Sequence, residues 1–153
     1  QAITDLQDLL QSAIQQNERL LLVGSSLGGY YAKYLGRKFH VNAVLINPAL
    51  QPMLTLDDYL GENTNYYTGE TYMITRDDLD FLSSLDVAEP CPSKERILVL
   101  LDKADEVLDY RIAQQRYQAC AKVICFEDGD HQFQHMAESV APIRELYAMS
   151  TLR

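Results

Sequence analysis

The chain has 153 residues, 47% of them hydrophobic, and carries a formal net charge of −9 at neutral pH. This length and apolar content predict a single domain with one core. Because nucleic-acid binding depends on Lys and Arg contacts to phosphate, the acidic balance argues against a nucleic-acid partner and against an anionic membrane surface. No apolar stretch approaches the about 20 residues of a membrane-spanning helix, so we expect no membrane association.

The three cysteines, Cys91, Cys120 and Cys125, are odd in number and lack CxxC spacing. We interpret them as small, reduced and partly buried structural residues, as is usual in a cytoplasmic protein. Residues 1–17 are polar and amphipathic and do not resemble a secretory signal, which also favours a cytoplasmic location.

Helical and strand patterns alternate along most of the chain. Apolar residues at helical spacing predict a first helix over residues 3–14, and the apolar run 20–23 predicts a strand buried on both faces of a sheet. The remaining predicted elements are, in chain order, a helix over 30–39, a strand over 41–46, a strand over 96–101, a helix over 110–121, a strand over 122–126 and a helix over 136–147. Strands that alternate with helices predict an α/β fold, with a mostly parallel sheet and helices on both faces.

Residues 51–92 interrupt this alternation. The stretch is rich in tyrosine, asparagine, threonine and acidic side chains, and a short helix is predicted within it over 77–85. Long excursions in compact domains are often functional lids or insertions. Two interpretations stay open: a surface excursion whose tyrosines cover the core, or a cap over an active site.

The pentapeptide GSSLG of residues 24–28 lies between an apolar run and a predicted helix. By itself it also fits a glycine- and serine-rich turn, but a G-x-S-x-G pattern in this context is typical of a sharp turn that exposes one serine. We expect glycine at 24 and 28 because a side chain at either position would collide with neighbouring backbone. Ser26 is therefore the candidate nucleophile, and the N-terminus of the following helix would stabilise a developing oxyanion there.

A serine nucleophile needs a base within hydrogen-bonding reach and an acid that orients the base. Of the three histidines, His131 directly follows the last predicted strand. Because the carboxyl ends of parallel strands share one edge of a sheet, we expect His131 to meet Ser26 there. His40 lies beyond the helix that follows Ser26, and we expect it at the surface. His131 is therefore the candidate base.

Two carboxylates follow the third predicted strand, Asp102 at its end and Asp105 in the loop beyond it. Asp105 is the favoured acid because a loop residue can turn back toward His131, and Asp102 stays open as the alternative. Asp109, further along, is predicted to cap the next helix. The order Ser26, Asp105, His131 is the order in which α/β-hydrolases carry their triad.

His135 lies four residues after His131, and the two could share a helical face, which raises the alternative of a metal site. The chain has no H-E-x-x-H arrangement, and the nearby carboxylates are explained as turn and capping residues. We therefore predict neither a metal nor another cofactor.

With these positions located, the chain resembles the α/β-hydrolase superfamily and, within it, the small bacterial YqiA/YcfP-type esterases. The resemblance rests on residues 23–32 (VGSSLGGYYA), 47–49 (NPA), 58–61 (DYLG), 67–69 (YTG), 105–111 (DEVLDYR) and 129–133 (GDHQF). It implies a nucleophile at Ser26, an acid at Asp105 and a base at His131, with hydrolysis of small or short-chain acyl esters. The chain departs from the family pattern at Ala104, where a glycine is common.

The resemblance also implies an opening strand and a His-Gly-type loop that helps to form the oxyanion hole, and the chain begins without them. Within the chain, the backbone N–H of Leu27 is the expected oxyanion donor, and the second donor is expected N-terminal to Gln1. We expect the intact protein to carry about one more βα unit there, of about 30 residues. The alternative is another chain that covers the exposed sheet edge, as in a homo-oligomer.

The leading functional hypothesis is a serine esterase that cleaves a small-molecule acyl ester, or a thioester, through an acyl-enzyme. The alternative is a degenerate hydrolase that acts as a binding or scaffold module through residues 51–92. Acyl transfer to a thiol or alcohol also stays open, because a triad does not determine which nucleophile resolves the acyl-enzyme.

Overall fold

The secondary structure is known from a computed structural model that describes residues 2–65, 68–86, 91 and 96–150. The helices are α1 (Ala2–Gln15), α2 (Leu27–Phe39), α3 (Pro52–Leu56), α4 (Arg76–Ser84), α5 (Tyr110–Tyr117) and α6 (Met136–Ala148). The strands are β1 (Leu22–Ser25), β2 (Ala43–Ile46), β3 (Gly61–Thr64), β4 (Thr71–Ile74), β5 (Ile97–Asp102) and β6 (Lys122–Phe126). In this part of the chain, no helix is long and apolar enough to cross a membrane.

The chain divides into two units, of which the first comprises Gln1–Ala49 and Val87–Arg153. Its sheet has four parallel strands in the order β1-β2-β5-β6. Parallel strands need a crossover between them, so every strand starts at one edge of the sheet and ends at the other. The carboxyl ends of all four strands therefore lie at one edge, and the predicted α/β class with a parallel sheet is confirmed.

Both faces of the central strands are buried. Val44 and Ile46 of β2 pack with Leu98 and Leu100 of β5 and with Leu146 of α6. The alternate residues of the two strands point to the opposite face and are buried as well; they are Ala43, Leu45, Ile97, Val99 and Leu101. Burial on both faces explains why these two strands consist of continuous apolar runs rather than alternating ones.

The prediction for the first strand is wrong in both position and burial. β1 begins two residues later than expected, its residues alternate between partly buried and exposed, and Val23 is 53% exposed. Among the described residues β1 pairs with β2 alone, so it is an edge strand with one uncovered side. The apolar run begins before the strand because Leu21 packs against the core.

The other predicted elements of this unit are present with small shifts at their ends. The largest shift is at α5, which ends at Tyr117 instead of residue 121. β6 and the start of α6 lie where the sequence predicts them.

The second unit spans Leu50–Asp86 and contains α3, a 3-10 turn at Asp57–Tyr59, the antiparallel hairpin β3–β4, and α4. The predicted helix over 77–85 is present as α4. It begins after Thr75, whose side chain accepts a hydrogen bond from the N–H of Asp78 in a capping box.

The hairpin is not predicted by the sequence, because β3 reads GENT and has no apolar alternation. Tyr66, Tyr67 and residues 87–90 and 92 of the predicted excursion lie outside the described residues. The role of the excursion as a cap stays a prediction.

The cysteine interpretation is corrected by one disulfide bond. Cys91 and Cys120 are joined, with Cα atoms 5.9 Å apart, a separation usual for a disulfide. The pair is 29 residues apart in the chain, a spacing that carries no recognisable motif. Cys125 is free and partly buried, and burial raises the pKa of its thiol.

Candidate active site

Ser26 lies at the junction of β1 and α2, where the chain turns sharply. It is the N-cap residue of α2, with φ 54° and ψ −120°, a backbone conformation that residues other than glycine rarely adopt. Its N–H donates to the carbonyl of Ile46 at 3.0 Å, and its carbonyl accepts from the N–H groups of Gly29 and Ala49. These bonds hold the strained turn at the carboxyl edge of the sheet.

The two glycines that flank the motif are not equivalent. A Cβ atom on Gly24 would lie 2.1 Å from the carbonyl oxygen of Gly28, so only glycine allows the strand and the helix to approach so closely. A Cβ atom on Gly28 would meet no heavy atom within 4 Å. The expectation that both positions require glycine therefore holds for Gly24 and is wrong for Gly28.

His131 lies between β6 and α6, in a segment that we call the histidine loop (residues 127–135). Its Nε2 atom is 3.0 Å from Oγ of Ser26, although the two residues are 105 positions apart in the chain. The imidazole is 21% exposed, so it remains accessible to a small molecule. The structure thus brings Ser26 and His131 together, as their positions after parallel strands predict.

Asp105 lies in the loop after β5, and its side chain is 2% exposed. Its carboxylate oxygens are 2.9 and 3.0 Å from Nδ1 of His131. The same carboxylate accepts from the N–H groups of Val107 and Leu108, each at 2.8 Å, which holds it in a fixed orientation. Asp105, rather than Asp102, is therefore the carboxylate bonded to His131.

Asp102 bonds to a different histidine. Its carboxylate is fully buried and lies 2.6 Å from Nδ1 of His135, whose ring stacks on Phe126 with a centroid separation of 4.7 Å. The Asp102 carboxylate also accepts from the N–H of Gln134 at 2.8 Å. The end of β5, the loop after it and the histidine loop thus contain two separate carboxylate–imidazole pairs.

The metal alternative can be compared directly with this arrangement. His131 and His135 bond to different carboxylates. In the described part of the chain, no group of three or more His, Cys, Asp and Glu side chains is arranged to hold a metal ion. The remaining histidine, His40, is exposed at the C-cap of α2.

Two surface ion pairs lie on the loops around the site. Glu127 bonds to Lys103 and raises the pKa of that ammonium group. The Arg111 side chain lowers the pKa of Asp109, which also accepts from the Arg111 N–H and so caps α5, as the sequence predicts. One partner of each pair, Glu127 or Arg111, is largely exposed to solvent, so each pair contributes little to stability.

Sequence reasoning missed two side chains that bond to the histidine loop. Asn47, at the end of β2, is 2% exposed and donates from Nδ2 to the carbonyl of Asp130 at 3.0 Å. Glu106 accepts from the N–H of His131 at 3.0 Å. The sequence does show a polar residue, Asn47, at the carboxyl end of a buried strand. Because Pro48 follows it, Asn47 is equally well explained as a turn residue.

The three bonded side chains can transfer a proton in one direction. An imidazole whose Nδ1–H donates to Asp105 leaves Nε2 of His131 as the acceptor for the Ser26 hydroxyl proton. The N–H of Leu27 lies in the first turn of α2, where N–H groups have no acceptor within the helix. It is therefore available to stabilise negative charge that develops near Ser26.

Comparison with known proteins gives one family over nearly the whole chain. A family model described as "Uncharacterised protein family (UPF0227)" matches residues 1–148. The UPF0227 protein YcfP of Salmonella gallinarum is 25% identical over 145 residues, which are 92% of this chain and 74% of that protein.

Solved structures with a similar fold are known. The esterase domain of a Rhodothermus marinus protein matches with a TM-score of 0.68 at 20% identity, covering 95% of this chain and 67% of that one. Alpha/beta hydrolase domain-containing protein 10 from mouse matches with a TM-score of 0.60 at 20% identity, covering 95% and 66%. The chain spans about two thirds of each, and the predicted α/β-hydrolase fold is confirmed.

Proposed function

This chain belongs to the uncharacterised protein family UPF0227, as its resemblance to YcfP-type proteins predicts, and we propose that it is a serine esterase. The observation that carries the proposal is the bonded chain from Ser26 through His131 to Asp105, with 3.0 Å at the first contact and 2.9 Å at the second. The three residues come from three separate strand ends, and this geometry supports proton transfer rather than a merely structural contact.

In the proposed first step, Oγ of Ser26 attacks the carbonyl carbon of an acyl ester. The hydroxyl proton passes to Nε2 of His131, and the Asp105 carboxylate stabilises the resulting imidazolium. The N–H of Leu27 donates to the oxyanion of the tetrahedral intermediate. Collapse of the intermediate breaks the ester bond, and His131 returns the proton to the departing alcohol, which leaves an acyl group on Ser26.

In the second step, a water molecule gives a proton to His131 and attacks the acyl carbon. The second tetrahedral intermediate expels Oγ of Ser26, which takes the proton back, and a carboxylic acid is released. We propose small or short-chain acyl esters as substrates, and thioesters would follow the same steps with a thiol as the leaving group. A thiol or alcohol in place of water would give acyl transfer instead.

A fluorophosphonate probe tests the nucleophile, because it reacts covalently with activated serines. We expect the full-length protein to be labelled at Ser26 and to hydrolyse p-nitrophenyl butyrate. Ser26→Ala should abolish labelling and lower kcat by about 10⁴–10⁶-fold, the cost of losing a triad nucleophile. Ser25→Ala is the matched control, since Ser25 is the exposed neighbour in β1 and should keep both properties.

Two results would contradict the proposal. Labelling that persists in Ser26→Ala would assign the reactive group elsewhere. An unlabelled and inactive full-length protein that retains a partner in pull-down experiments would favour the alternative of a hydrolase fold used as a scaffold.

We also propose a cytoplasmic location. The Cys91–Cys120 disulfide is unusual for a reducing compartment. Cells quenched with an alkylating agent should therefore yield this pair alkylated. Recovery of the pair fully oxidised would favour an oxidising compartment instead.

A further inference from the structure

We propose that Asp102 and Asn47 are positioning residues that hold the histidine loop so that His131 reaches Ser26. This inference rests on the proposed function, because it assigns a role relative to the proposed base. Neither side chain is bonded to Ser26 or to the imidazole of His131 in the described structure, so the proposed role is indirect.

The histidine loop has a backbone that needs external support. Asp128, Gly129 and Phe133 have φ values of 59°, 80° and 68°, in the left-handed region that favours glycine. Non-glycine residues in such conformations are strained and persist only where surrounding contacts impose them. Within the loop, the N–H groups of Gln132 and Phe133 donate to Asp130, but there is no regular ladder. Further support therefore comes from residues outside the loop.

Asp102 supplies such contacts on both sides of His131. Its Oδ2 atom accepts from the N–H of Gln134 at 2.8 Å and from the N–H of Asp130 at 3.3 Å. Its Oδ1 atom bonds to Nδ1 of His135. One fully buried carboxylate thus bonds to three donors of the loop, and its removal would leave two part-buried N–H groups and the imidazole without this acceptor.

Asn47 connects the same loop to two strand ends. Its Oδ1 atom accepts from the N–H of Asp102 at 2.9 Å, while its Nδ2 atom donates to the carbonyl of Asp130. A longer contact of 3.5 Å joins Nδ2 to the carbonyl of His131 itself. Asn47 therefore holds Asp102 and the backbone beside His131 in one buried network at the ends of β2 and β5.

Gly129 and His135 complete the support at the two ends of the loop. A Cβ atom on Gly129 would lie 2.0 Å from Oδ2 of Asp102, so glycine is what allows the carboxylate to reach under the loop. At the other end, the carbonyl of His135 accepts from the N–H and the hydroxyl of Ser139, which ties the loop to α6. The histidine loop is consequently held on both sides of His131, at Gly129 and at His135.

A displacement of about 1 Å in a reacting group can cost about 10²-fold in rate, so loss of this network should lower catalysis without altering the catalytic side chains. In Asp102→Asn, the amide oxygen can still accept from the two N–H groups while its NH₂ faces His135. In Asp102→Ala, both functions are lost. Comparing the two variants separates hydrogen-bonded positioning from a role for the charge of Asp102.

The test measures hydrolysis of p-nitrophenyl butyrate by the full-length protein, with active sites counted by fluorophosphonate titration. We expect Asp102→Ala to lower kcat per titrated site by about 10²-fold with little change in KM, and Asp102→Asn to stay within about tenfold of the wild type. Asp128→Asn is the control, because Asp128 is exposed in the same loop and asparagine tolerates its positive φ.

A second variant keeps the test decisive if Asp102→Ala does not fold. Asn47 has φ 38°, which glycine adopts readily, so Asn47→Gly deletes the side-chain bonds without straining the turn. We expect it to lower kcat per titrated site by about tenfold or more, again with little change in KM.

Four outcomes overturn the inference, and they are distinguishable. A lower titrated fraction with unchanged kcat per site would indicate a purely structural role. Equal losses in Asp102→Asn and Asp102→Ala would assign the effect to charge. An inactive and unlabelled wild-type protein would refute the proposed function and, with it, the positioning role, whereas an active wild type with fully active variants would refute the positioning role alone.

Discussion

Two carboxylate–imidazole pairs lie side by side in this molecule, and they differ in what the imidazole touches next. Asp105 with His131 and Asp102 with His135 both join the carboxyl end of β5 to the histidine loop. Their imidazoles have similar exposure (21% and 23%), and their carboxylates are almost fully buried. Residue type, burial and position in the fold therefore do not distinguish the proposed catalytic pair from the proposed supporting pair.

The two pairs differ in the residue that the imidazole contacts beyond its carboxylate. Nε2 of His131 is 3.0 Å from Oγ of Ser26, whereas the ring of His135 stacks flat on Phe126, at an interplanar angle of 6°. The carboxylate of Asp102 is further engaged by two backbone N–H groups of the histidine loop. The comparison teaches that a carboxylate–imidazole pair acquires a function from its remaining contacts.

The largest effect is expected at Asp105. Asp105→Asn should lower kcat for p-nitrophenyl butyrate by about 10⁴-fold, because an amide partner at Nδ1 favours the wrong tautomer of His131. Asp102→Asn is the natural comparison, with the same substitution three positions away and a far smaller expected loss. Steady-state kinetics on the two variants and the wild type measure the difference. A reversed order of the two losses would exchange the roles of the two pairs.

A smaller effect is expected at Gly129, where the backbone of the histidine loop passes close to Asp102. Gly129→Ala would place a methyl group 2.0 Å from Oδ2 of Asp102 at a residue with φ 80°, so we expect it to lower kcat per titrated site, as loss of the Asp102 network does. Chemical denaturation should also show a destabilisation of about 1–3 kcal/mol from backbone strain, with the steric contact added.

Gly69→Ala is the control that separates backbone strain from the steric contact. Gly69 has φ 72°, but a Cβ atom there would meet no heavy atom within 4 Å. The control should show only the cost of the backbone conformation and unchanged kcat. Equal destabilisation and equal kcat in the two variants would show that the approach of Asp102 to Gly129 is unimportant.

The smallest effect is expected at Asp109, a loop carboxylate whose partner is an arginine rather than an imidazole. Since the Arg111 side chain lowers the pKa of Asp109, its stabilisation is present above the unfolded-state pKa and disappears as pH falls through the lowered folded-state pKa. Asp109→Ala should therefore be slightly less stable than the wild type at neutral pH, and the two should converge in strongly acidic solution. Thermal melting at several pH values checks this, and a gap that widens toward low pH would contradict it.

Most of the first unit was predictable from sequence, because its central strands are continuous apolar runs and its helices have amphipathic spacing. Val44 and Leu98 illustrate this, since both lie in strands that the apolar pattern locates. β1 was misplaced because Leu20 and Leu21 are as apolar as the strand residues, and the hairpin of the second unit was missed because its polar residues carry no alternation.

The candidate site was predictable to the extent that it depends on strand ends. Ser26, Asp105 and His131 each follow a strand of a parallel sheet, and the rule that such ends share one edge predicts that they lie close together, although it leaves Asp102 as an alternative to Asp105. Asn47 and Glu106 were missed because their roles are hydrogen bonds to the backbone of a distant loop. No local pattern of residues predicts such bonds.

The sequence by itself determined the parallel sheet, the edge at which its loops meet and the serine at the sharp turn, since apolar periodicity and glycine geometry are local properties of the chain. Only the tertiary structure decided which carboxylate bonds to which histidine. Asp102 and Asp105 lie three positions apart, and His131 and His135 lie four positions apart. The spacing in the sequence therefore allows either aspartate to pair with either histidine. Hydrogen bonds form only at about 3 Å, so the pairing depends on where the loop backbone lies. The left-handed turn at Asp128 and Gly129, which passes close to Asp102, determines that backbone position.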